Sequence, residues 1–121
     1  MKNQFVVRTL INKANAVLDK DGRLLADQLE AAYRTQRPTT VSFEGIDLVT
    51  SAFLTASWGR FLLHVATVAE RQARIAAVTF VYLAPDAHRT AIVRQMLDRI
   101  ERKALDAEYC RQYDEALAEA A

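Results

Sequence analysis

The apolar positions of the chain change period along its length. Phe5 to Ile11, FVVRTLI, is a β-branched run and predicts a first strand. From Arg23 to Arg37, Leu25, Leu29, Ala32 and Tyr33 recur at spacings of three and four, which predicts an amphipathic helix stopped by Pro38. Thr39 to Gly45 returns to period two, with Val41 and Phe43 alternating with Ser42 and Glu44, and predicts a strand. Ser51 to Arg71 predicts a second helix with a wide stripe of Phe53, Leu54, Trp58, Phe61, Leu62, Val65 and Val68. Gly59 inside it points to close approach of another backbone, since Gly in a helix interior costs about 1 kcal/mol relative to Ala. Ala76 to Ala84, AAVTFVYLA, predicts a central strand covered on both faces and ended by Pro85. Asp86 is the expected N-cap of a third helix running to about Ala104, with Ile92, Met96, Leu97, Ile100 and Ala104 inward. Asn12 to Gly22 ends in the turn signal Asp21-Gly22 and fits a hairpin, an irregular loop or a helical turn.

Strands alternating with amphipathic helices make this an α/β chain with a small mixed, largely parallel sheet and three to four helices. Residues 1–121 suit a single domain, with 106–121 as a helical tail whose thin stripe is Tyr109, Tyr113 and Leu117. The chain is long enough to bury a core without disulfides or metals.

A net charge of +1 gives no strong field for nucleic acid. The charge is nevertheless uneven. Asp106, Glu108, Asp114, Glu115 and Glu119 face one base, Arg111, in the tail, while Arg71, Arg74, Arg89, Arg94, Arg99, Arg102 and Lys103 precede it. These arginines read as solvated helix faces or as a basic face for an acidic partner. One cysteine, Cys110, rules out an internal disulfide and fits a reducing compartment. No apolar run is long enough to span a bilayer, and the N-terminal segment lacks a signal-peptide pattern, so a cytoplasmic location is expected.

The chemistry-bearing residues are sparse. His64 and His88 are isolated from other ligand types, and three glycines at 22, 45 and 59 make no phosphate loop, so neither a metal nor a cofactor is expected. Thr50 and Ser51 stand at the predicted strand-to-helix junction, followed by Phe53. A helix start directs N–H groups and hydroxyls outward, toward a partner or an anion, and the same hydroxyls serve as N-caps. Asp86, His88 and Arg89 mark the neighbouring helix start. In a parallel sheet the two starts gather at one edge, so Ser51 approached by His88 is the alternative, that of a nucleotide binder or small α/β enzyme. A homodimer built on the apolar second helix or the tail is a third reading.

The segment VSFEGIDLVTSAFLTASWGRF resembles the core motif of STAS domains, the fold of sulphate transporters and anti-sigma factor antagonists, and is closer still to a bacterial STAS-like family of unknown function. Phe43, Gly45, Thr50 with Ser51, Phe53 and Gly59 carry the resemblance, and FVYLAPDAHRTAIVRQMLDRI matches in kind downstream. It covers about residues 20 to 105. It implies a non-enzymatic signalling module that binds a regulatory protein, such as a histidine-kinase-like ATPase, through residues 50–53. In the antagonist branch a serine at that helix start is phosphorylated, and the added charge repels the partner. Aligning Gly59-Arg60 with the antagonists places Ala52 at the acceptor position and Thr50 at the preceding acidic one, whereas a shift of one residue makes Ser51 the acceptor and takes the glycine out of register.

Overall fold

The computed structural model describes residues 3–106 and residue 116. The predicted helical tail, 106–121, therefore lies almost wholly outside the described residues. Three strands, β1 (Asn3–Val6), β3 (Thr39–Ser42) and β5 (Val78–Val81), form a parallel sheet in the order β1-β3-β5. Two shorter strands, β2 (Asn15–Ala16) and β4 (Leu48–Val49), make a separate parallel pair. Around them lie α1 (Val7–Ile11), α2 (Asp19–Tyr33), α3 (Ser51–Leu54), α4 (Arg60–Leu63), α5 (Val68–Ala77) and α6 (Ala87–Leu105). A π-helical turn, Thr55–Gly59, joins α3 to α4, so Ser51–Leu63 runs on as one central helix.

The α/β class and the parallel pairing are as the alternating pattern requires. Among the described residues there are five helical rods against the expected three to four, because two predicted elements divide. The first strand stops at Val6 and the chain turns into α1, which Asn12 ends in the left-handed conformation. The second predicted helix stops at Leu63, and α5 begins afresh after the Thr67 cap, whose hydroxyl accepts the Glu70 N–H at 3.1 Å. Asp21-Gly22 is not a turn but lies in the first turn of α2, which starts at Asp19 rather than Arg23.

The sheet register sets the core. Phe5, Val41 and Phe80 lie side by side in one row. Val41 and Phe80 are buried with Leu25 and Leu29 of α2, Leu54 and Leu62 of the central helix, and Val93 and Leu97 of α6. An aromatic chain runs through this layer. Phe43 stacks on Phe80, Phe80 meets Trp58 edge-on at 4.9 Å, and Trp58 stacks on Phe61. The next row across the sheet is polar, with Gln4 and Thr79 exposed and Thr40 half-buried. The Ala76–Ala84 run is thus not a central strand covered on both faces. β5 is an edge strand, and β3 takes the middle place.

Two of the arginines expected on a basic face are inside. Arg71 is fully buried and donates to the carbonyls of Leu63, Val65 and Ala104. Its fork satisfies backbone oxygens left free where α4 ends and near the end of α6. Arg74 pairs with Glu30 at 2.8 Å, donates to the Phe61 carbonyl, and lies over the rings of Tyr33 and Phe61. Both side chains are buried, Arg71 on backbone carbonyls and Arg74 on a carboxylate, so neither contributes to a basic surface.

The glycine assignments reverse. A Cβ on Gly59 would meet nothing closer than 3.6 Å, so no backbone crowds it. A Cβ on Gly22 would stand 2.7 Å from the Ala56 methyl and 2.8 Å from the Phe53 carbonyl oxygen. The close crossing of α2 over the central helix is made there.

Candidate functional site

β4 delivers the chain to Thr50, which caps the central helix. The Thr50 hydroxyl accepts the Phe53 N–H at 3.2 Å and donates to the Val17 carbonyl at 3.3 Å. Both hydrogen-bonding roles of Thr50 are thus occupied, and its task is to fix the helix start against the chain entering α2. Ser51 and Ala52 are exposed at that start, as the sequence leads one to expect. Phe53 is not. Its exposure is 0% and its ring lies edge-on to Phe43, because the stripe that looked available for a partner faces the core of the monomer. The same burial covers Leu54, Trp58, Phe61 and Leu62, which removes the apolar face of the second helix as a homodimer surface.

The neighbouring helix start forms as predicted. The Asp86 carboxylate accepts the Arg89 N–H at 2.7 Å and ion-pairs with its guanidinium at 3.3 Å. Arg89 reaches on to the Asp47 carbonyl at 3.4 Å and ties the start of α6 to the loop before β4. His88 is exposed on the first turn. Ser51 and His88 are not brought together. No hydrogen bond joins them: Ser51 shares a hollow with Asp19, Thr55 and Ala56 on the α2 side, whereas the hollow beside the start of α6 is lined by β4 and Arg89, without His88.

That second hollow is the apolar one. It measures about 430 Å³, with Ile46, Leu83 and Val93 at its base and Leu48, Ile92 and Met96 around it. Leu48 is 52% exposed and Ile92 44% exposed. Ile92 was expected in the inner stripe of its helix, but Val93 takes the buried place. Next to it, Tyr82 stands 67% exposed with φ +52° and lines an adjoining hollow with Gly45, Asp47 and Pro85. A bulky aromatic at positive φ is strained and is held so by its surroundings, an arrangement concentrated at functional segments. These hollows lie past the carboxyl ends of β3 and β5, where open parallel sheets place their ligands. Leu48, Tyr82 and Ile92 carry no motif, and no sequence signal marks them. Their link is spatial.

The central helix carries two further local features. The Ser57 hydroxyl is buried and donates to the Phe53 carbonyl at 2.8 Å, inside the π-helical turn. The Trp58 indole N–H is buried with no hydrogen-bond partner among the described residues, and the Glu101 carboxyl faces it from α6 outside hydrogen-bond geometry. Burial, then the neighbouring Asp98 charge, lifts the Glu101 carboxyl above the usual carboxylate range, with Arg94 and the indole pulling the other way.

Among the described residues no His, Cys, Asp or Glu cluster suited to a metal is present, and no helix is long and apolar enough to cross a membrane. Comparison with protein-family models, with curated proteins and with solved structures finds no match.

Proposed function

We propose that this chain is a non-enzymatic, cytoplasmic, STAS-like interaction module that docks a regulatory protein at the sheet edge where the central helix and α6 begin. The observation that carries the reading is the gathering of Leu48, Tyr82 and Ile92, exposed apolar side chains, around hollows at that edge. An exposed apolar cluster rimmed by polar groups is a mark of an interaction surface. Asp47 and Arg89 rim it, and Arg94, Arg99, Arg102 and Lys103 lie exposed along α6. The partner suited to it presents an apolar anchor flanked by acidic side chains. The segment resemblance to STAS domains makes a histidine-kinase-like ATPase the first candidate. With a methyl group at Ala52 and the Thr50 hydroxyl occupied as a cap, binding here is not governed by phosphorylation at either position.

The test is to purify the protein that co-purifies from the native cell and titrate it against the wild-type chain, Leu48→Asp and Ile92→Asp. A charge placed in a binding hot spot weakens the complex about tenfold or more, and the melting temperature of these exposed-site variants stays near wild type. Undiminished binding by both variants would sink the proposal.

A further inference from the structure

Where α2 crosses the central helix, the Gly22–Ala56 contact brings the two rods together. Beside the crossing a depression of about 310 Å³ opens, with Asp19, Arg23, Thr55, Gly59, Arg60 and His64 in its lining. Arg23 reaches it from α2 and Arg60 from α4. Neither guanidinium makes a hydrogen bond or ion pair with a described residue. This sets them apart from Arg71, Arg74 and Arg89, which are all engaged within the fold. Two guanidiniums brought to one hollow by different helices offer up to ten N–H donors and two positive charges, against the single carboxylate of Asp19 in the same lining. Thr55 adds an exposed hydroxyl from the π-helical turn, a backbone form found often at functional sites.

We infer that this depression binds a phosphate monoester, its phosphoryl oxygens held between Arg23 and Arg60. A compact dianion matches two cationic forks better than a single carboxylate does. Asp19 limits the choice further. It stands at the end toward Ser51, which shares the adjoining hollow, and its carboxylate opposes a second phosphoryl group there. The site therefore selects a single phosphoryl head over a diphosphate. It lies on the α2 side of the central helix and does not depend on the docking edge beside α6.

His64 provides the readout. Burial, and then the Arg60 charge, hold its imidazole below the ordinary histidine value. The charged groups lining the hollow with it are Arg60 on its own helix and Asp19 and Arg23 on α2. A dianion bound between the arginines offsets their effect and makes protonation of His64 easier. The chain has two histidines, so His88 on α6 is an internal reference. The experiment follows both imidazole resonances by NMR across pH, in sodium phosphate, in phenyl phosphate, in pyrophosphate and in sodium chloride of equal ionic strength. The expected result is a His64 midpoint raised by about 0.5 pH unit or more in phosphate and in phenyl phosphate. His88 does not move, pyrophosphate gives a smaller response, and Arg23→Gln abolishes the shift. Identical His64 curves in phosphate and chloride, equal displacement of both histidines, or a full response retained by an Arg23→Gln, Arg60→Gln variant each overturn the site.

Discussion

At the residue scale, two glycines and one carboxylate separate local propensity from contact. Gly59 has helical dihedral angles near −60° and −47°, and a Cβ there would meet its neighbours only at ordinary contact distance, 3.6 Å or more. Gly59→Ala is expected to raise stability by about 0.5–1 kcal/mol through lost freedom of the unfolded chain. Gly22→Ala is expected to lower it by about 1–3 kcal/mol, since the new methyl drives into backbone and forces the crossing apart. Urea denaturation of both variants checks the opposite signs. Glu101 makes a pH-dependent counterpart. Its folded-state carboxyl titrates above its unfolded value, so the folded protein holds this proton over a window in which the unfolded chain has released it. That contribution raises stability as pH falls through the folded value and stops growing at the ordinary one. Glu101→Gln is accordingly expected to be more stable than wild type at neutral pH, with the difference shrinking toward pH 4. A denaturation midpoint difference that is flat across this range, or of opposite sign, contradicts the assignment. The candidate residues at this scale were half legible. Thr50 and Asp86 show their capping role in residue type and position, whereas the burial of Phe53 involves Phe43, ten residues away just past the end of β3.

At the scale of elements, the break between α4 and α5 shows how a periodic stripe misleads. Val65 and Val68 continue the spacing set by Phe61 and Leu62, so the pattern runs unbroken past His64. The helix nevertheless ends, and the Leu63 and Val65 carbonyls turn to Arg71. A sequence signal was present: Thr67 with Glu70 three residues later is the spacing of a capping box. Thr67→Ala is expected to cost about 1 kcal/mol, with hydrogen-exchange protection lost first at the start of α5. Unchanged exchange there would show that the cap is not what starts the helix. The π-helical turn left no comparable trace. Its Ser57 hydroxyl bonds back to the Phe53 carbonyl, the same oxygen that Gly22 approaches, so the turn is tied to the crossing of another helix.

At the scale of the whole molecule, one core joins the sheet, α2, the central helix and α6, and two surfaces flank the central helix: the apolar edge beside α6 and the cationic depression beside α2. Each draws its residues from segments far apart in the chain. Leu48, Tyr82 and Ile92 come from β4, the end of β5 and α6. Arg23 and Arg60 come from two crossing rods. The amino-acid sequence by itself determined the α/β class, the amphipathic stripe of α2, the stripe of α6 from Met96 onward, the strand at Thr39–Ser42 and the caps at Thr50 and Asp86. These rest on spacing and residue type within one turn or one strand, and such local preferences act before any distant contact forms. The tertiary structure alone decided the edge position of β5, the burial of Arg71 and Arg74, the crowding at Gly22 rather than Gly59, and the assembly of both surfaces. Those features depend on which elements pack together and how closely, and that is settled by contacts between residues tens of positions apart.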